Sequence, residues 1–102
     1  MKIVLSKKFQ KRIKTYFEYC LENYGSTIVS KKRTMYEKIL RRLTTFPESG
    51  FLEPLLKEYP IQYRAVLFDK RFKIIYFVDN DTVMVENFWD TTRSPKFLKK
   101  DI

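Results

Sequence analysis

The sequence predicts an α+β fold: an N-terminal strand, an antiparallel helical hairpin, and a three-stranded antiparallel meander carrying the hairpin on one face. Three observations lead there. Apolar residues in the first half recur at spacings of three and four, the period of a helix face. Residues 63–89 are dense in β-branched and aromatic side chains and are broken by short polar turns. A composition of 44% hydrophobic and 17% aromatic residues within 102 residues is enough for one packed core, so the chain is expected to form a single domain over 1–102.

Residues 2–5 read as a short strand, and Ser6 follows as a helix cap whose hydroxyl can accept an orphan N–H of the first turn. Phe9, Ile13, Tyr16, Phe17, Cys20, Leu21 and Tyr24 then form one continuous helical face, and Gly25 ends it. Ser26 or Thr27 is expected to cap a second helix with apolar positions Ile28, Met35, Tyr36, Ile39, Leu40 and Leu43. Its polar face is almost wholly cationic, with Lys31, Lys32, Arg33, Lys38, Arg41 and Arg42 against the single acid Glu37. So short a turn between two amphipathic helices implies a hairpin, and neither helix can bury its stripe on the other alone, so a sheet must cover the rest.

Residues 46–61 hold three of the four prolines and no clean period, and read as a loop with a turn of helix at 52–58; a loop of that length in a compact chain is more often functional than idle. Strands are expected at 63–68, 72–78 and 82–89, linked by the turns Asp69-Lys70-Arg71 and Asp79-Asn80-Asp81. Beyond Asp90 the chain is polar and basic, with Pro95 ending any sheet pairing.

Lys and Arg number 21 against 12 Asp and Glu, a formal charge of +9 with no histidine to modify it, and so large an excess raises encounter rates with acidic partners. Cys20 is the single cysteine, which rules out an internal disulfide and fits a reducing compartment; its place on the apolar helix face reads as a small buried hydrophobe. No apolar run reaches the roughly 18 residues of a membrane span, so the expectation is a soluble, cytoplasmic protein with no membrane partner.

In order, strand, helix, helix, loop and three strands resemble the RelE/ParE superfamily of bacterial toxin–antitoxin modules over about residues 2–98. The segments that carry the resemblance are Phe46-Pro47-Glu48-Ser49-Gly50, the Tyr63-Arg64 strand opening, the hairpin from Ile74 to Val85, and the closing Trp89-Asp90-Thr91-Thr92-Arg93-Ser94-Pro95, which looks like the tail of ParE-type members. The resemblance implies a toxin held inactive by a cognate acidic antitoxin. It also implies one of two targets, DNA gyrase or messenger RNA on the ribosome.

RNA cleavage through the 2′-hydroxyl needs a proton acceptor, a proton donor and cations for the charge developing on phosphate. Cations are plentiful: Arg64, which matches the strand arginine of nuclease members, with Arg71, Lys73 and Arg93. Proton-transfer groups are few. There is no histidine, and no tyrosine follows Tyr76; Phe97 lacks the hydroxyl, leaving Glu48 and Glu86 as weak bases. The balance favours a gyrase-binding toxin over an endoribonuclease that would use Arg64 and Arg93 as catalytic groups. Arg64, Arg71, Lys73, Trp89, Arg93 and Lys96 are the expected target- or partner-binding residues, and Lys31, Lys32, Arg41 and Arg42 the expected antitoxin contacts. Arg64 has a structural alternative as cross-strand partner of Glu86 or Asp69, and Trp89 one as a hydrophobic anchor. No metal or cofactor is called for.

Overall fold

A computed structural model describes residues 1–102. Strand β1 (Lys2–Leu5) leads into helices α1 (Lys7–Tyr24) and α2 (Ser26–Thr45). Strand β2 (Phe51–Leu52), a 3-10 turn (Pro54–Leu56), strands β3 (Arg64–Phe68), β4 (Phe72–Asp79) and β5 (Thr82–Asp90), and helix α3 (Pro95–Asp101) follow. The architecture is α+β. The five strands form one sheet in the order β1-β5-β4-β3-β2, with β1 parallel to β5 and every other pair antiparallel. No helix is long and apolar enough to cross a membrane.

Ser6 is the expected cap. Its Oγ accepts from the Phe9 N–H at 3.0 Å and donates to the Glu86 carbonyl at 2.7 Å, so one hydroxyl both starts α1 and ties it to β5. Gly25 alone connects the two helices, at φ 86°, a left-handed conformation that a side chain would resist. The connection is shorter than expected: Gly25 stands at the cap position of α2, so neither Ser26 nor Thr27 caps it.

The hairpin lies on one face of the sheet over Phe9, Ile13, Tyr16, Phe17, Cys20, Tyr36, Ile39 and Leu43, which pack on Phe68, Ile74, Tyr76, Val83, Val85 and Phe88. A bulge makes this possible. Ile75 pairs with Asn87 and Tyr76 with Val85, leaving Glu86 unmatched, so Val83, Val85 and Phe88 all reach the helix side despite their uneven spacing. The hairpin's apolar stripe runs further than the core covers: Leu21, Tyr24, Ile28 and Met35 remain exposed.

Two segments read from sequence as mainly irregular carry more order than expected. The 46–61 loop holds the expected turn of helix, as the 3-10 turn, and adds β2, too short to leave a periodic signature. The basic tail forms α3, with Pro95 in its first turn, where a missing N–H costs nothing. Leu98 of α3 and Leu56 of the 3-10 turn pack with Tyr63, Ala65, Ile75 and Trp89 on the second face of the sheet. The helices are therefore on both faces, not one, although the large hairpin is confined to the face expected.

Candidate functional site

A groove of about 960 Å³ runs between α1 and the end of the sheet that carries the β3–β4 turn. One bank is a stripe of α1, in which Lys8, Lys11, Arg12, Thr15 and Tyr19 follow at helical spacing. Arg71 from the turn, Asp90 at the end of β5 and Arg93 beyond it form the other, and Tyr16, Phe72, Phe88 and Trp89 lie between.

The far bank is held by its own hydrogen bonds. Asp69 and Lys70 adopt φ of 52° and 60°, the left-handed pair that turns β3 into β4. Arg71 donates to Asp90 through Nε at 3.2 Å and Nη2 at 2.8 Å, a two-point pairing that fixes both planes. Thr92 donates to Asp90 Oδ1 through its N–H at 2.9 Å and its hydroxyl at 2.7 Å. Thr91 donates to the Arg71 carbonyl through its N–H at 2.8 Å and its hydroxyl at 2.6 Å. The Arg93 guanidinium lies between aromatic rings, 5.2 Å from Trp89 and 5.3 Å from Phe97.

Protonation follows from these contacts. The Arg71 hydrogen bond holds the Asp90 carboxyl well below the usual carboxylate range. Partial burial works to raise Asp69, but hydrogen bonds from Lys32 and Tyr16 outweigh it and leave the group below its ordinary value. Burial first, and the Asp69 hydrogen bond second, push the Tyr16 phenol far above its ordinary value. Both groove carboxylates are thus ionised and already paired, and Tyr16 keeps its proton. None of the three is poised to exchange a proton near neutral pH. The cations of the two banks suit holding anionic groups.

Of the residues expected from sequence, Arg71, Trp89 and Arg93 come together here. Trp89 is 2% exposed, an anchor with no face open for stacking. Lys96 is exposed on α3, 5.6 Å from the Phe97 ring. Lys73 faces the second side of the sheet, where its Nζ donates to Glu53 Oε1 at 2.5 Å and Oε2 at 3.0 Å; Glu53 is 2% exposed, so this lysine neutralises a buried acid instead of offering a free charge.

Arg64 is paired with neither Glu86 nor Asp69. Its Nη1 donates to the carbonyls of Gly50, at 2.8 Å, and Glu48, at 3.3 Å. The Tyr76 hydroxyl completes the hold on the same segment, donating to the Pro47 carbonyl at 2.8 Å and accepting from the Gly50 N–H at 2.9 Å. A Cβ on Gly50 would lie 2.5 Å from that hydroxyl, which is why glycine stands there. The Phe46–Gly50 segment is therefore clamped from below by Arg64 and Tyr76. Arg64 pairs with Tyr76 at the far end of β3 from the Asp69–Arg71 turn, about 17 Å away at strand rise. Arg64 and Arg93 are not brought to one point.

Lys32 of the α2 stripe donates to Asp69 at 2.6 Å, whereas Lys31, Arg41 and Arg42 are exposed and form no ion pair. Lys8, Lys11 and Arg12, on the polar face of α1, were not among the residues expected from sequence. The signal was there: they occupy one stripe with Thr15 and Tyr19, adjoining the buried Tyr16. No three acidic, cysteine or histidine side chains converge to hold a metal ion.

A solved structure supplies the comparison. A chain of the chromosomal ParDE TA system from P. aeruginosa superposes with a TM-score of 0.70, over 88% of this chain and 95% of its own, at 13% sequence identity. The two share a fold. No protein-family model matches the sequence, and no curated protein does. At such low identity the ParDE likeness establishes architecture, and the site is read from its own residues.

Proposed function

We propose that the protein is a ParE-type toxin of a type II toxin–antitoxin module, acting by binding DNA gyrase and neutralised by an acidic antitoxin. The observation that carries this reading is the cationic groove, with its carboxylates paired to Lys32 and Arg71, on the fold of a ParDE chain. Binding needs shape and charge, which the groove has; hydrolysis would need a proton relay, and the two groove carboxylates are ionised and already paired. The separation of Arg64 from Arg93 weighs in the same direction, against the endoribonuclease alternative.

A formal charge of +9 suits an acidic antitoxin, whose carboxylates would speed encounter and fix register more than they would add affinity. Arg71, Arg93 and Lys96 are the proposed target contacts, with Trp89 as their support. The test is induction of the chain in growing cells together with a gyrase assay on purified protein. Growth arrest with lost supercoiling or accumulated cleavage complexes is expected. Arrest with intact gyrase activity and cut messages would assign the ribosome as target, and normal growth would remove the toxin reading.

A further inference from the structure

Helix α2 carries a surface that the proposed target contacts leave unused. Lys31, Thr34, Lys38, Arg41, Arg42 and Thr45 follow at i, i+3, i+7, i+10, i+11 and i+14, one helix face turned away from buried Tyr36, Ile39 and Leu43. All six are exposed, and none of the four cations forms an ion pair. Glu37, the only acid of the helix, lies on the flank of this face. On α1, by contrast, Lys8 and Arg12 are already met by Asp101.

Helix stability does not account for such a row. The helix dipole favours Arg42 in the last turn but gives no reason for Lys31 near the start or Lys38 in the middle. Lys38 stands one turn from both Arg41 and Arg42, and like charges at that spacing weaken a helix. A polyanion laid along the face would remove the repulsion. An acidic amphipathic peptide is a poor match, because it needs apolar anchors at helical spacing and Met35 is the only exposed apolar side chain along the stripe. A single nucleic acid strand needs open rings on which to stack its bases. The stripe contains none; Phe46, 64% exposed, stands past its end. Duplex DNA needs neither anchor nor ring. Its stiff backbone presents a phosphate about every 3.4 Å along each strand. Lys31 to Arg42 spans about 16 Å at helix rise, a length over which one strand offers about five phosphates to these four cations.

We infer that the outer face of α2 binds the phosphate backbone of duplex DNA, independently of sequence. The choice of DNA rests on the gyrase reading, since a target that works on DNA brings a duplex within reach of this surface. The stripe lines no part of the groove, so the two surfaces can be occupied together, one by protein and the other by DNA. Lys31, Arg41 and Arg42 thereby take a nucleic acid partner in place of the antitoxin expected from sequence.

The probe is a fluorescent DNA duplex of about 20 base pairs and arbitrary sequence, titrated with the full chain at several salt concentrations and read by anisotropy. Lys38→Gln with Arg42→Gln, neither of which breaks an ion pair, is expected to weaken binding about tenfold or more at about 0.1 M salt. The slope of log affinity against log salt should fall by about 2, one for each lost phosphate contact. Lys57→Gln with Lys100→Gln removes the same charge from the 3-10 turn and α3 on the far side of the sheet. Screening over about 10 Å should hold its effect below about threefold. Phe46→Ala is expected to leave duplex affinity unchanged. Equal losses in the two double variants would overturn the inference, as would oligothymidylate binding more tightly than the duplex and depending on Phe46. The same proteins enter the gyrase assay. Stripe-dependent DNA binding by a chain that leaves gyrase untouched sinks the gyrase reading alone; gyrase inhibition by a chain whose DNA affinity ignores the stripe sinks this inference alone.

Discussion

The two faces of the sheet are built by different means. On the hairpin face, 14 buried residues from two long helices and three strands interlock as one cluster, with the Tyr16 ring edge-on to Phe68, Phe72 and Phe88 at 5.7, 5.0 and 5.3 Å. On the other, a three-residue turn and a seven-residue helix supply Leu56 and Leu98 to a cluster of six buried residues, beside the ion pair of Lys73 with buried Glu53. A large apolar interface closes cooperatively, whereas a small one made of short, separate pieces opens locally. The first face therefore supports the molecule and the second is the one free to loosen.

Substitution should separate them. Phe9 is fully buried between Tyr36 and Phe88, and Phe9→Ala is expected to cost about 3–5 kcal/mol and to lower the midpoint of a single transition. Glu53→Gln comes next, at about 3 kcal/mol, because it leaves Lys73 without its counter-charge; Glu53→Leu with Lys73→Met should recover most of that loss, since a buried pair is often no better than a packed apolar one. Leu98→Ala should cost about 2–3 kcal/mol. Its effect is distinguished by place: faster amide exchange in α3 and the 3-10 turn, with α1 and β4 unchanged. Uniform acceleration across both faces would show that they unfold as one unit.

The same division decides how much was legible in the sequence. Phe9, Ile13, Tyr16, Phe17 and Cys20 announce a helix because a long element repeats its period several times, and all five are buried. Strands β3 to β5 are legible for a similar reason. Nothing in Phe51-Leu52 repeats and α3 buries only Leu98, so of the second face only the turn of helix within 52–58 was legible. The candidate groove was half legible. Arg71, Trp89 and Arg93 were among six residues expected to bind a target or partner, with Arg64, Lys73 and Lys96, whereas Lys8, Lys11 and Arg12 join the groove only because the hairpin lays α1 along that edge. Arg64 illustrates the converse: its charge suggested a ligand contact, but its partners are backbone carbonyls of a loop that no periodicity places.

One small cluster links the two faces, and it gives the finest test. Past Leu5, β1 no longer covers β5, and across that open edge Arg12 of α1 meets Asp101 of α3 while the buried Asn87 side chain donates to Asp101 Oδ2 at 3.0 Å. Asp101→Asn should cost about 1 kcal/mol, the scale of a part-exposed ion pair with one further hydrogen bond. Partial burial acts to raise the Asp101 carboxyl, but the hydrogen bonds from Arg12 and Asn87 outweigh it and hold the group below its ordinary 3.8. A depressed native pKa contributes stability that is complete above 3.8 and drains as pH falls through the lower native value. On acidification below about pH 4, amide protection in α3 should therefore fall before protection in α1. Asp69 and Asp90, also depressed, weaken the groove bank in the same window, so the comparison has to be made with Asp101→Asn, in which the early loss from α3 should vanish while the remainder persists. An unchanged order of loss in that variant would mean that Leu98, and not the carboxylate, fastens the second face to the first.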